Sequence, residues 1–226
     1  MNNTGATTKP LLTRGRVAIL LVLAILVIDQ FIKIWVKTNM TLHESLHVTD
    51  WFYISFIENN GMAWGMQIGS KLALSLFRVG AIAVLSYYIW LQACEKVRWG
   101  YMVCLAMILA GAAGNLIDCM FYGLCFDAST SVHVSQFVGM GNGYAPFLMG
   151  RVVDMFYFPL IETTWPDWMP FWGGEDFVFF SPVFNFADAS ISCGIVALML
   201  FYRKEISQIS LKKQQTERHL EAETSE

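Results

Sequence analysis

Two acidic residues in the last third of the sequence have surroundings that suit acid–base chemistry. Asp188 lies in the apolar run that begins near Phe184, and Asp154 lies among apolar and aromatic residues upstream of it. A carboxylate in the middle of a membrane helix costs about 3 kcal/mol, so it needs a partner or a function. Two carboxylates that meet in a low-dielectric pocket share one proton near neutral pH. Such a pair can activate water, one Asp acting as base and the other as acid. Alternatively, Asp188 holds helices together through hydrogen bonds.

The residues before Asp188 predict the start of a helix. Ser181 is the predicted N-cap, and Pro182 is then the first helical residue. The run to Arg203 is about 20 residues long, which is enough to cross a bilayer. Asp188 is then expected about two turns into the helix. It shares one helical face with a short series of polar residues, Ser181, Asn185 and Ser192.

The composition is that of a polytopic membrane protein. Of 226 residues, 55% are hydrophobic and 15% charged, with a mean hydropathy of +0.47. The five cysteines and four histidines have no metal-ligand spacing, and no nucleotide-binding glycine loop is present, so we expect no metal, no cofactor and no nucleic-acid partner. Cys119 and Cys125 are interpreted either as buried thiols or as a disulfide pair.

Four apolar runs predict four transmembrane helices. The first three lie at about 17–36, 72–91 and 101–121, and the fourth contains Asp188. Basic residues are concentrated on the side that holds both termini, so the positive-inside rule predicts cytoplasmic termini. The polar residues of the spans then fall in the outer half of the bilayer, which predicts one pocket open to the extracytoplasmic side. They are Asp29, Lys33, Arg78, Asn115, Asp118, Asn185 and Asp188.

The spans and their connections form one predicted domain, residues 17–203. A cytoplasmic tail, 1–16, precedes it and a charged cytoplasmic tail, 204–226, follows it. In the first outer loop, 38–70, the stretch 51–57 reads as a strand, followed by a turn at Asn59-Asn60-Gly61. The long second outer loop, 123–181, is rich in tryptophan, which indicates interfacial anchoring or a lid. The predicted fold class is therefore an all-α membrane protein with a small β element.

Three functions are compatible with these features. The first is intramembrane aspartyl hydrolysis by Asp154 and Asp188. The second is proton-coupled transport, which calls for acids distributed through the membrane and for broken helices; the clustering of polar residues at one depth counts against it. The third is a non-enzymatic assembly subunit, for which the small residues of the third span suffice, although this leaves the two acids unexplained.

Five short motifs, in this order, resemble those of lipoprotein signal peptidase, also called signal peptidase II. The resemblance covers roughly residues 17–202. Each motif is weak alone, but together, on four spans of matching topology, they are specific. They are Asp29-Gln30-x-x-Lys33, Asn59-x-Gly61-x-Ala63-x-Gly65, Gly114-Asn115-Leu116-Ile117-Asp118, Gly150-x-Val152-Val153-Asp154 and Phe184-Asn185-x-Ala187-Asp188.

The resemblance implies a monomeric, multi-pass aspartic endopeptidase of the bacterial cytoplasmic (inner) membrane, with its site on the extracytoplasmic side. Its substrates would be prolipoproteins cut just before a diacylglyceryl-modified cysteine, its surroundings membrane lipids, and its inhibitors globomycin-like cyclic peptides. The first outer loop would form a small β-cradle. By motif, Asp154 and Asp188 are the catalytic pair. The substrate-binding or supporting residues are Asn59, Gly61, Asn115, Asp118, Asn185, Asp29, Lys33 and Arg78.

The chain departs from the family pattern in two respects. Cys119 stands where the family usually has Arg, so Asp118 needs another charge partner, for which Arg78, Lys33 and Arg151 are candidates. In addition, two insertions, 124–149 and 157–181, separate the last three motifs and are expected to reshape the lid or the substrate preference.

Overall fold

The computed structural model describes residues 13–59, 71–95, 97–179 and 182–207, and most of these are helical. The long helices are α1 (Arg14–Asn39), α2 (Lys71–Cys94) and α3 (Trp99–Ile117); a π-helical turn (Asp118–Tyr122) and α4 (Gly123–Cys125) extend α3. By length and composition, α1, α2 and the segment Trp99–Cys125 are able to cross a membrane. The fourth apolar helix, α5 (Phe186–Phe201), has only 16 residues.

Large apolar side chains on the outer faces of these helices are exposed, as expected where lipid covers them. Ile19, Phe31, Phe77 and Leu200 are examples. The central helix α3 contacts α1, α2 and α5. Small residues allow close approach: a Cβ on Gly111 would lie 2.3 Å from the carbonyl oxygen of Ala187 at the start of α5.

A four-stranded antiparallel sheet lies at the end of the bundle where α1 ends and α5 begins. Its strand order is β1 (Ser45–Thr49), β2 (Phe52–Asn59), β3 (Val152–Tyr157) and β6 (Val183–Phe184). The connection between α1 and α2 and the connection between α4 and α5 therefore both contribute strands. Buried Phe56, Val153 and Met155 form an apolar cluster with the end of α1, which fixes the sheet on the helices; the other main members are Val36, Met40, Tyr122 and Phe126.

A separate two-stranded hairpin is formed by β4 (Ile161–Thr164) and β5 (Asp176–Phe179). It leaves the sheet after β3, and the chain then returns to the sheet through β6. The insertion at 157–181 thus contains regular structure, whereas 126–149 contains only the isolated bridges Phe126–Phe137 and Thr130–His133.

The predicted start of the last helix is wrong. Pro182 is not helical, and Ser181 lies outside the described residues. Val183 and Phe184 pair with Tyr157 and Phe156, so the chain stays extended until Asn185, which is the true N-cap. Asp188 consequently lies in the first turn of α5 and not two turns inside it.

Two further expectations are settled by the fold. The strand predicted over 51–57 is found as β2, but the turn at 59–61 falls on residues beyond Asn59 that lie outside the described part. All five cysteines are free, so a Cys119–Cys125 disulfide is wrong. Six residues apart on a helical segment, the two cysteines are separated by about 9 Å along its axis, too far for an S–S bond.

Candidate active site

The strand β3 and the first turn of α5 bring the two predicted acids into one hydrogen-bonded network, in which Asp154 is buried and Asp188 is half-buried. Asp154 lies in β3 and is 2% exposed, and Asp188 is the third residue of α5. The sequence placed Asp154 only in the segment ahead of the helix. Its position on a strand is a consequence of pairing with β2, in which Ile57 lies opposite Asp154.

Asn185 links the two acids. Its side-chain oxygen accepts a hydrogen bond from the backbone N–H of Asp188 (2.8 Å), and the Asp188 carboxylate accepts one from the backbone N–H of Asn185 (3.4 Å). This reciprocal capping box fixes the Asp188 side chain at the helix end. The Asn185 amide also donates to Oδ1 of Asp154 at 2.6 Å. One side chain therefore orients both carboxyl groups.

Two other asparagines complete the immediate surroundings. The amide of Asn59 donates to Oδ2 of Asp154, and the amide of Asn115 donates to Oδ1 of Asp188 at 2.7 Å. Asn59 is the last residue of β2, and Asn115 lies on the last turn of α3. The three asparagines predicted as supporting residues are thus all in contact with the acids, each donating to a carboxylate oxygen.

The environment of Asp154 favours its protonated form. Burial, together with the nearby negative charge of Asp188, raises the pKa of Asp154 to about 7, although the hydrogen bond from Asn185 opposes the shift. Near neutral pH, a large fraction of Asp154 is therefore protonated.

Below the acids lies a fully buried ionic cluster centred on Lys33. Its Nζ is 3.0 Å from Oδ2 of Asp29 and 2.8 Å from Oδ2 of Asp118, and it donates to Oδ1 of Asn115 at 2.8 Å. The charged side chains have no exposed area. Removing one member of such a cluster leaves an unpaired buried charge, which costs about 3–5 kcal/mol.

The same cluster holds the two backbone segments that carry the acids. Oδ1 of Asp29 accepts from the N–H of Ala187 at 2.9 Å, next to Asp188. Oδ2 of Asp118 accepts from the N–H of Val153 at 3.4 Å, next to Asp154. Asp29, Lys33 and Asp118 therefore connect to the two predicted acids through the backbone and through Asn115.

The partner of Asp118 is identified among the three candidates. Lys33 forms the ion pair. Arg78 instead donates to the Sγ of Cys119 at 3.3 Å, and Arg151 pairs with Glu58 at 3.1 Å. Gly61, the remaining predicted residue, lies outside the described part of the chain.

Sequence reasoning missed two polar residues of this network. Gln30 donates to Oδ1 of Asp118 at 2.9 Å and to Oδ2 of Asp29 at 3.2 Å, and it accepts from the hydroxyl of Tyr122 at 3.1 Å. Gln30 was part of a recognised motif, and that was the available signal. Tyr122 reaches the network from the π-helical turn, a feature that is frequent at functional sites and gave no sequence signal.

A second buried cluster, also missed, fixes the first insertion. Lys37 contacts Glu58 (2.5 Å) and the Ser129 hydroxyl (2.9 Å), which donates to the same Glu58. Because Glu58 precedes Asn59, the insertion is tied to the strand that holds Asp154. Among the described residues, no group of three His, Cys, Asp or Glu side chains is arranged to hold a metal.

The chain is similar in sequence to lipoprotein signal peptidases. A family model described as Signal peptidase (SPase) II matches residues 21–203. A lipoprotein signal peptidase from Porphyromonas gingivalis (strain ATCC BAA-308 / W83) is 49% identical over 197 residues, which is 87% of each chain. One from Amoebophilus asiaticus (strain 5a2) is 36% identical over 203 residues, 84% of this chain and 79% of that protein.

Solved structures share the fold. One is described as a bacterial membrane enzyme structure determined by the in meso method at 2.3 Å resolution. It has a TM-score of 0.55 and 22% identity, and the match covers 85% of this chain and 90% of that one. A second, at 1.9 Å resolution, has a TM-score of 0.54 at the same identity.

Proposed function

This chain belongs to the signal peptidase II family, and we propose that it is an aspartic endopeptidase whose catalytic pair is Asp154 and Asp188. Membership makes it a membrane peptidase that removes signal peptides from prolipoproteins. The finer proposal is cleavage just before a diacylglyceryl-modified cysteine. The observation that carries the proposal is the single Asn185 side chain, which bonds to Asp154 and caps the helix at Asp188.

The proposed resting state has the proton on Asp154 and the charge on Asp188. It is supported by the pKa of Asp154, which burial raises to about 7. It is also supported by the amide of Asn115, which donates to Asp188 and is itself oriented by the cationic Lys33. A donor polarised in this way stabilises a carboxylate.

In the proposed reaction, Asp188 takes a proton from water while the water oxygen bonds to the scissile carbonyl carbon. Asp154 gives its proton to the carbonyl oxygen, which produces a neutral gem-diol. In the second step the leaving amine takes the proton from Asp188 and the C–N bond breaks. Asp154 recovers a proton from a gem-diol hydroxyl as the new carboxyl group forms, so the resting state is restored.

Asn59, Asn115 and Asn185 are proposed to orient the acids or to hold the substrate backbone. Asp29, Lys33 and Asp118 are proposed as positioning residues. Arg78, which donates to the Sγ of Cys119, is proposed to support the site from next to Asp118. We expect globomycin-like cyclic peptides to inhibit the enzyme, and we expect it to act as a monomer in the bacterial cytoplasmic membrane with the dyad on the extracytoplasmic side.

Neither alternative is favoured. A proton-coupled transporter needs carboxylates through the depth of the membrane. The buried acids described above gather at one end of the bundle, around the end of α1 and the start of α5. The role of a non-enzymatic assembly subunit does not require two acids that accept hydrogen bonds from three asparagine amides.

The test is cleavage of a purified, diacylglyceryl-modified prolipoprotein by the single variants Asp154→Asn and Asp188→Asn. Each is expected to lower kcat by about 10²–10⁴-fold, the contribution typical of general acid–base groups. Asp50→Asn, the same substitution at an exposed position of the first outer loop, is the matched control and should keep wild-type activity. Near-wild-type cleavage by either dyad variant, with an unchanged unfolding temperature, would remove the proposal.

A further inference from the structure

The turn at the end of the β4–β5 hairpin exposes three large aromatic side chains. Trp168 is 79% exposed, Phe171 90% and Trp172 52%. Isolated exposed apolar residues are ordinary on protein surfaces, but large apolar groups concentrated on one short turn mark an interaction surface. We call these three residues the aromatic tip.

Backbone hydrogen bonds hold the turn that carries the aromatic tip in a defined conformation. The backbone N–H groups of Trp165 and Gly174 close it through bonds to Glu175 and Trp165, and Gly173 bonds back to Met169. Phe171 has a φ of +77°, a conformation that bulky residues rarely adopt. The fold therefore maintains a strained backbone that keeps an aromatic ring in the open, with the ring of Trp172 6.3 Å away.

The length of α5 indicates the level of the hairpin relative to the hydrocarbon core of the membrane. Its 16 residues span about 24 Å, less than the roughly 30 Å of a hydrocarbon core. Arg203 and Lys204 follow closely at its other end and mark the cytoplasmic boundary in the proposed topology. The outer boundary of the hydrocarbon therefore lies before Phe186, at β6 and the base of the hairpin, so the hairpin extends from the level of the lipid headgroups.

The charge of the hairpin indicates which kind of lipid the aromatic tip can contact. Residues 152–202 contain no Lys, Arg or His, whereas the hairpin carries Glu162, Asp167, Glu175 and Asp176. An acidic segment is repelled by anionic lipid, so the attraction has to come from the rings. Trp is also enriched at the membrane–water interface, where an amphipathic ring meets both phases.

We propose that the aromatic tip docks into the headgroup layer of the outer leaflet, on zwitterionic lipid, and thereby holds the segment between Asp154 and Asp188 against the membrane surface. Three residues separate the end of β3 from the hairpin, and β6 leads directly into Asn185. Docking thus fixes both ends of the segment that joins the two acids, where a lipid-anchored substrate has to enter. This functional part depends on the proposed function; the docking itself does not.

The first experiment measures docking of the aromatic tip by fluorescence quenching, a readout that does not depend on cleavage activity. Full-length wild type and W168F/W172F are reconstituted in phosphatidylcholine vesicles with or without lipids brominated near the headgroup. Phe preserves an apolar tip, so the difference between the two proteins isolates the fluorescence of the tip tryptophans. We expect brominated lipid to quench that difference signal strongly and aqueous acrylamide to quench it only weakly. W35F removes a lipid-facing Trp at the end of α1 and is the positive control.

Two outcomes of this measurement would overturn the proposal. Quenching of the difference signal by acrylamide alone would place the tip in water. Protection from both quenchers would indicate a protein contact, for example a second copy of this chain or another partner.

The second experiment connects docking to the reaction. W168S/F171S/W172S is expected to raise KM for a bilayer-embedded prolipoprotein by about tenfold with kcat retained, while W168F/W172F keeps the wild-type KM. In detergent micelles, the serine variant and the wild type should have similar KM values. Equal KM values for the serine and phenylalanine variants in vesicles would refute the functional part. Loss of cleavage by wild type would instead count against the proposed function, and the quenching result would stand.

Discussion

At the residue scale, Asn185 combines a structural and a chemical task. As an N-cap it contributes about 1 kcal/mol to helix stability, which many residues could supply. Its amide also donates to Asp154, and the capping box fixes Asp188. A serine or threonine cap would preserve the helix but has no NH₂ group for Asp154, so the asparagine is required by the hydrogen bond to Asp154 and not by the helix.

The pKa of Asp154 predicts how activity depends on pH. Burial raises that pKa to about 7, so the acid keeps its proton below this pH and loses it above. The proposed mechanism needs the protonated form, and kcat/KM should therefore fall as pH rises through about 7. The measurement is kcat/KM for prolipoprotein cleavage across the neutral and alkaline range.

Asn185→Ser supplies the matched control for this pH profile. It retains a helix cap but removes the amide that stabilises ionised Asp154, so the descending limb should move to higher pH. A profile that is flat through pH 9, or a limb that moves to lower pH in the variant, would contradict the assignment of the proton to Asp154.

At the element scale, the closeness of α3 and α5 decides where Asp188 lies. A Cβ on Gly111 would lie 2.3 Å from the carbonyl oxygen of Ala187 and 2.6 Å from Cγ1 of Ile191. Neither helix can accommodate that methyl group without moving, because one of the contacts is to backbone. Small residues in α3 are thus required for the position of Asp188, the proposed catalytic acid, as well as for helix packing.

Gly111→Ala is expected to lower kcat by about 10²-fold and to destabilise the protein by about 1–3 kcal/mol, because overpacking displaces the start of α5. Gly80→Ala in α2, where a Cβ would meet nothing within 4 Å, is the control. It should leave kcat unchanged and slightly raise the unfolding temperature, since Ala favours a helix over Gly. Thermal unfolding and prolipoprotein cleavage measure both effects. Equal behaviour of the two variants would show that the close packing does not position Asp188.

At the scale of the whole molecule, the polar and apolar parts are separated by position along the bundle. The buried ions, the sheet and both insertions gather at one end, while the middle of the bundle presents apolar side chains to its surroundings. This arrangement suits the proposed reaction, in which the substrate is lipid-anchored and the chain to be cut approaches from the membrane surface.

The proposed orientation predicts the labelling of cysteines by a membrane-impermeant maleimide. Cys94, exposed at the end of α2, is expected to react only after lysis, since it would face the cytoplasm. An introduced cysteine in V132C, at a position 90% exposed in the first insertion, should react on intact spheroplasts. Peptide mass spectrometry identifies the labelled sites, and C94S is the control. Labelling of Cys94 on intact cells would reverse the orientation.

Much of the fold was predictable because it depends on local pattern. Long apolar runs predicted the helices within a few residues at each end, and aromatic and β-branched residues predicted β2. The boundary of α5 was wrong because Val183 and Phe184 pair with β3 residues that lie 26 and 28 positions earlier in the chain, an interaction that outweighs the local Ser-Pro start signal. Gln30 and Tyr122 were missed because their partners lie 88 and 92 residues away.

The sequence by itself determined the helical membrane class and the approximate position of the helices, because apolar length is a property of the chain itself. It also singled out Asp154 and Asp188 as the proposed catalytic acids. Only the tertiary structure decided which groups meet: that Lys33 pairs with Asp118, that Asp154 sits on a strand, and that Asn185 bonds to Asp154. Hydrogen bonds and ion pairs act over about 3 Å, whereas these partners are separated by tens of residues along the chain. Their pairing therefore depends on how helices and strands pack, which no local pattern encodes.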